Sequence, residues 1–281
     1  MDLRKARLHA LKMRRHVLLH RMNMQFVRQI VPAHPDVLMD LGRGRRPIRN
    51  VAQLVQHQHH MLTVLRVFIR ETIMREKKTK KLIIFGDRDY AKIVYEYFTH
   101  DSEYEVVAFT VGRDYIKQKT FFGLPVVPFE ELEEKYPPSK YEVHVAIVYG
   151  EINRLRARIC SEVKKKGYRL ASYISSRSFV WHNVKIGEHC FIFEDNTIQP
   201  FVQIGDNVIM WSGNHIGHEL WIKDNVFISS HVVVSGSCII GENTFLGVNT
   251  AIGNHIKVGK ECWVGQGSVI SKDVPDSSMV K

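Results

Sequence analysis

The stretch SGNHIGHELW, Ser212 to Trp221, sets His215 and His218 three residues apart, with Glu219 directly after the second, inside a run of aliphatic residues and glycines. Imidazoles so placed could ligate a metal, act as a catalytic base, or be ordinary residues of a β-rich core. A histidine titrates near neutrality, so it can take a proton from an amine or hydroxyl that attacks a thioester. The oxyanion formed in that attack needs a donor, usually a backbone N–H. Glu219 could orient and polarise His218 as the carboxylate does in a catalytic triad. Adjacent side chains on a strand point opposite ways, so that pairing needs turn geometry or a neighbouring subunit. His231 would complete a three-histidine set of the kind that holds zinc.

What these residues can do depends on the scaffold that carries them. From Ile174 to Ile270 an aliphatic residue recurs at every sixth position, through Val180, Ile186, Ile192, Ile198, Ile204, Met210, Ile216, Ile222 and onward. A period of eighteen overlays it: IGEHCFI at 186, IGDNVIM at 204, IKDNVFI at 222, IGENTFL at 240 and VGKECWV at 258 are copies of one unit. Three hexads per unit predict a three-sided coil of short strands, each coil stacked on the last at about 4.8 Å. The aliphatic residue and the one four later face inward, and the latter is small or β-branched, as at Val184, Val202, Val226 and Thr244. Cys190, Cys238 and Cys262 occupy that slot, which makes them small buried hydrophobes rather than metal ligands. Asn196 and Asn214 share it too and should stack as a buried amide pair. Asn207, Asn225 and Asn243 recur instead at a turn position, where asparagine tolerates left-handed dihedrals.

The same register surrounds His218 with small neighbours, Pro200 one coil below and Gly236 one coil above, leaving a cleft for a pantetheine arm or an amino group. It also separates the three histidines. One coil below His231 is Gly213, neither His215 nor His218, so a zinc site would need ligands gathered across subunits. No metal is expected.

Ahead of the coils, residues 80–173 alternate strand and helix: KKLIIFG, DYAKIVYEYF, YEVVAFTV, YEVHVAIVYG and EINRLRARICSEVKKKG. Strand, glycine, helix, strand is a nucleotide-binding type of α/β unit. Its glycine fingerprint is incomplete, because GDRDYA keeps Gly86 and lacks the two later glycines.

A small α/β domain followed by hexapeptide coils resembles the sialic acid O-acetyltransferase and bacillosamine N-acetyltransferase family, over about residues 80–281. The phrases GLPVVPFEEL, LASYISS, SGNHIGHE and ISSHVVVSG carry the likeness. It implies a left-handed parallel β-helix, a homotrimer with sites between neighbouring coils, and a Rossmann-like first domain that holds a nucleotide-sugar acceptor. It implies acetyl-CoA as donor, His218 with Glu219 as the catalytic base and its acid, and Gly236 lining the thioester. A second family histidine, nine residues beyond the base, is replaced by Phe227 at a cofactor position, and His215 or His231 would have to compensate. Gly86, Asp87 and Asp114 fall at the acceptor-binding positions. The acidic residue that commonly follows the second strand is displaced, since Gly112 stands there. The expected activity is acylation of an amino or hydroxyl group of a sugar or nucleotide-linked sugar in surface polysaccharide synthesis. The alternatives are a zinc-dependent, carbonic anhydrase-like β-helix and a non-catalytic scaffold.

Charge divides the chain. Residues 1–81 carry 19 Lys/Arg and 5 Asp/Glu, leaving 21 and 24 for the other 200 residues, so the net +11 belongs to the N-terminal extension. That extension, residues 1–79, reads as helical in HVLLHRMNMQFVRQIV and in LVQHQHHMLTVLRVFIRETIMREKK, and Met61 and Met74 are alternative starts. It could contact an anionic membrane surface, whereas no interleaved aromatic pattern points to nucleic acid. No apolar run reaches bilayer length and no signal peptide is legible, so a cytoplasmic location is expected. The expected divisions are therefore 1–79, 80–173, a β-helix at 174–275 and a tail at 276–281.

Overall fold

The structure, a computed structural model, describes residues 78–281. The helices, the membrane contact and the alternative starts expected of the extension lie outside the described residues.

The α/β domain opens with β1 (Lys80–Phe85), whose last four residues are buried, as a continuous apolar run requires in a sheet covered on both faces. Helix α1 (Asp89–Asp101) follows and buries Tyr90, Ala91, Val94 and Phe98 at helical spacing. Then come β2 (Tyr104–Val111), β3 (Thr120–Phe121), β4 (Leu124–Pro128), the short α2 (Leu132–Lys135), β5 (Glu142–Val145), α3 (Arg154–Lys165) and β6 (Arg169–Leu170). The sheet order is β3-β4-β2-β1-β5-β6, parallel except for the β3–β4 pair. Gly86 ends β1 at φ +127, where an added Cβ would stand 3.1 Å from the carbonyl oxygen of Ala146.

From Tyr173 the chain forms a left-handed parallel β-helix of two-residue strands on three faces. Partners are eighteen residues apart throughout most of it: Phe191 with Ile209, Thr197 with His215, Gln203 with Trp221. The second residue of each strand points inward, and Ile192, Ile198, Met210, Ile216, Ile222, Ile228, Val234 and Ile240 form a fully buried column. Asn214 donates its amide to Asn196 Oδ1 at 2.9 Å, both side chains being buried, so the expected amide ladder is present. All four cysteines are buried and free.

Every sixth residue from His189 to Gly267 has positive φ, so each corner of the helix is turned by one left-handed residue. Asn207, Asn225 and Asn243 are among them, as the turn reading predicts. The two ends depart from the repeat. Ile174, counted as inward, is 40% exposed, since among the described residues no earlier coil covers it. The tail is not separate: Met279–Val280 pairs with Trp263–Val264, sixteen residues back, and so adds a strand to the first face.

The α/β domain docks on that first face through aromatic rings. Tyr97 and Phe98 of α1 meet Tyr173 and Phe191, and Tyr90 meets Phe191 and Trp211. Farther along, Tyr149 caps the stack of Phe227, Phe245 and Trp263.

Candidate active site

His218 and Glu219 form one corner of the β-helix, between the strand His215–Ile216 and the strand Trp221–Ile222. Glu219 is the corner's left-handed residue, at φ 54. That turn removes the opposition of adjacent side chains expected on a strand, and it brings Glu219 Oε2 within 3.6 Å of His218 Nδ1. Both side chains are more than half exposed. No neighbouring subunit is needed for the pair to meet.

The coil above shapes the space for the imidazole. A Cβ on Gly236 would stand 2.7 Å from both Cε1 and Nε2 of His218, so only a glycine there lets the ring lie against the next coil. Gly217 permits the close approach itself, since its Cβ would come 2.6 Å from the Gly236 nitrogen. The corner is tied into the ladder by His218 N–H donating to Gln199 Oε1 at 3.1 Å and Ser237 N–H donating to the His218 carbonyl at 2.9 Å. With Nδ1 turned to the carboxylate, Nε2 is the ring nitrogen that lies toward Gly236 of the next coil.

The other residues singled out from the sequence are dispersed. His215 faces outward from its strand, half-buried between Thr197 and Val233 in the coils on either side. His231 lies at a different corner, also left-handed, with its ring over Gly213, whose Cβ would come 2.7 Å from Nδ1. Among the described residues no three His, Cys, Asp or Glu side chains converge to hold a metal ion. Phe227 is 3% exposed and stacks on Phe245 under Tyr149, so its side chain serves the contact with the α/β domain and is not brought to the His218 corner. Gly86 and Asp87 sit at the carboxyl end of β1, and Asp114 sits in an exposed turn just past the end of β2, the neighbouring strand. That is the edge at which parallel α/β sheets bind ligands. Asp87 is buried, with Arg88 Nε 3.6 Å from its carboxylate. Arg113, beside Asp114, is tied down by Glu130 and Glu131, so acidic groups from the turn that follows β4 border the end of the second strand.

Two contacts of the corner were not foreseen. Asn254 Oδ1 accepts the Gly236 N–H at 3.0 Å, engaging the backbone donor of the residue over which the imidazole lies. Gln199 holds the base's own backbone. Asn254 was legible, since it falls in the column of His218 one coil past Gly236, whereas Gln199 precedes Pro200 and stands in the column of Gly217.

The model of the bacterial transferase hexapeptide repeat matches residues 183–218, and that of the succinyl-transferase hexapeptide repeat matches residues 238–272. The matched coils are similar to the hexapeptide repeats of bacterial transferases. A comparison with curated protein sequences finds no match. Among solved structures, perosamine N-acetyltransferase from Caulobacter crescentus, in complex with CoA and GDP-perosamine, is similar at TM-score 0.64 and 24% identity, over 72% of this chain and 93% of that one. The acetyltransferase domain of PglB from Neisseria gonorrhoeae matches at TM-score 0.62 and 24% identity, over 72% and 96%. WeeI from Acinetobacter baumannii matches at TM-score 0.62 and 21% identity, over 72% and 97%. These likenesses extend the hexapeptide-transferase fold from the coils to the α/β domain that precedes them.

Proposed function

We propose that this protein transfers an acyl group, acetyl first among the candidates, from coenzyme A to an amino or hydroxyl group of a nucleotide-linked sugar used in surface polysaccharide synthesis. The observation that carries the reading is the His218–Glu219 pair, held at a left-handed corner with its imidazole over Gly236. It stands in a fold shared with an enzyme solved with CoA and GDP-perosamine and with an acetyltransferase domain solved with acetyl coenzyme A.

In this reading His218 Nε2 takes the proton of the attacking amine or hydroxyl as that group bonds to the thioester carbon. Glu219 steadies the imidazolium. When the C–S bond breaks, the proton passes to the departing thiolate, giving free coenzyme A and the acylated sugar. Atoms and charge balance with no metal or redox partner. Gly236 lines the thioester, and its N–H is the candidate oxyanion donor if it exchanges Asn254 Oδ1 for the thioester oxygen. Gly86, Asp87 and Asp114 mark the acceptor's edge of the α/β sheet, and His231, at another corner, and His215, on a strand, are the side chains proposed to reach the donor.

A homotrimer is the proposed assembly, supported by the exposed Val233, Ile239, Val248 and Val269 on the coils. A cytoplasmic site of action follows from the donor, since acyl-CoA is a cytoplasmic metabolite. Separately, no helix among the described residues is long and apolar enough to cross a membrane. The test is acetyl-CoA titration by calorimetry, followed by release of free thiol on adding GDP-perosamine or another amino-sugar nucleotide. Saturable binding with acceptor-dependent thiol release supports the reading. No binding of acetyl-CoA would end it.

A further inference from the structure

The corner column that holds His218 differs on its two sides. Toward the C-terminus it carries Gly236, Ser237 and Asn254, which are small or polar. Toward the N-terminus it carries rings. Phe201 lies one register step below Glu219, where the Glu219 N–H bonds the carbonyl of Pro200. Trp181 lies one coil farther, below Gln199, with Phe179 beside it at 6.0 Å between ring centroids. All three rings are solvent-facing: Phe201 is 61% exposed, Phe179 53% and Trp181 40%.

Phe201 is also in the wrong conformation for its type. It turns its corner at φ 65, a position filled elsewhere along the helix by His, Asp, Asn, Gly, Glu or Ser. A bulky residue there costs about 1–2 kcal/mol relative to residues that tolerate the left-handed region. The ring gains no burial to offset this, because it points to solvent. Backbone strain kept without a packing return is a feature of ligand-contacting positions.

We propose that Phe201, extended by Trp181, is the shelf on which the ring of the acyl acceptor lies. The pyranose would pack its C–H face on Phe201 and raise its amino or hydroxyl substituent toward His218. One coil rises about 4.8 Å, which is the step from a ring resting on Phe201 to the base above it. The opposite side of His218, with its small residues, is left to the thin acyl-pantetheine arm. The shelf rests on the acyltransferase reading and adds to it a residue that selects a ring-shaped acceptor and positions it for attack.

Phe201→Asn is the decisive variant. Asparagine suits the left-handed corner, so the fold is kept or stabilised while the ring is lost. Phe201→Tyr keeps the ring, and Trp181→Ala probes the lower step. Each is titrated with acetyl-CoA and, separately, with GDP-perosamine or another amino-sugar nucleotide, and each is sized by sedimentation. The expected result is a melting temperature no lower than wild type for Phe201→Asn, acetyl-CoA affinity within twofold, and acceptor affinity reduced at least tenfold. Phe201→Tyr stays near wild type and Trp181→Ala falls between. Acceptor affinity unchanged in Phe201→Asn would overturn the shelf. So would a smaller sedimenting species, which would make these rings a contact between copies of the chain. If wild type binds acetyl-CoA yet ignores every ring-bearing acceptor, the shelf fails and the donor half of the reading survives. If wild type does not bind acetyl-CoA, the acyltransferase reading fails and the shelf with it.

Discussion

Among the histidines of the coils, His218 is set apart by its access to both a carboxylate and solvent; His100 also has both, with Glu96, but on a helix of the α/β domain. His218→Ala should lower turnover by roughly a hundredfold to ten-thousandfold, the usual loss of a general base, with acetyl-CoA affinity unchanged by calorimetry. Glu219→Gln should cost less, because Glu219 acts through the imidazole. His144 and His189 are the opposite case. They are buried, stacked at 4.4 Å between ring centroids, and shaped for the neutral form. His144 Nδ1 donates to the Ala171 carbonyl, and its Nε2 has no partner. His189 Nε2 accepts the Val145 N–H. Burial pulls the His144 pKa down to about 4 and holds that of His189 well below its ordinary value, with His144 as the second cause. The folded state therefore binds fewer protons than the unfolded chain. The stability these rings contribute is full above about pH 6.5, and it is lost as pH falls from there toward 4, by up to about 1.4 kcal/mol per pH unit for each ring. Replacing His144 by Phe, among Phe98 and Phe191, should flatten that slope by up to half in urea titrations run between pH 7 and 4.

At the level of the coil, the site depends on backbone spacing more than on side chains. Gly236→Ala puts a methyl 2.7 Å from the imidazole, so the ring must leave its place over the next coil. The expected outcome is a drop in kcat of about a hundredfold, the scale of a base misplaced by an ångström, with the far-ultraviolet circular dichroism of the β-helix unchanged. This level was the most legible one, because a six-residue period with an eighteen-residue overlay admits one stacking of coils. Pro200, His218 and Gly236 in one column, the Asn196–Asn214 ladder and the buried cysteines all follow from it. The period did not reveal the handed turn at each corner. Asparagine announces such a turn by its type, whereas Glu219 and Phe201 do not, so the geometry that lets Glu219 reach His218 stayed hidden.

For the whole molecule, what escaped the sequence was which face of the β-helix the α/β domain would cover, because that depends on residues far apart in the chain. Phe227 is the clearest instance: the family resemblance put it at a cofactor position, and Tyr149 of the other domain packs over it. The joint is also polar at one point. Arg156 of α3 is fully buried, and among the described residues no carboxylate pairs with it. Its Nε donates to Asn207 Oδ1 at 2.9 Å, and its terminal nitrogens donate to the carbonyls of Val148, Asn207 and Asn225 and to Asn153 Oδ1. The asparagines that turn the same corner in successive coils thus also receive the helix of the other domain. A buried guanidinium satisfied by neutral oxygens has little freedom to move, and the apolar contact between the two domains is one buried cluster, in which Ile209 joins the two groups of rings, so the two domains should unfold together. Arg156→Met keeps most of the volume and strands several buried acceptors. It should cost about 3 kcal/mol or more. All four tryptophans lie in the coils, and with Trp211 and Trp263, which touch the α/β domain, replaced by Phe, the fluorescence of Trp181 and Trp221 reports the coils, while far-ultraviolet circular dichroism weighs in the helices of the α/β domain. If the joint is rigid, both signals shift together to lower urea in the variant and stay coincident. A transition that splits, with helix signal lost before the fluorescence responds, would mean that the coils stand without the domain and that Arg156 is a local clamp.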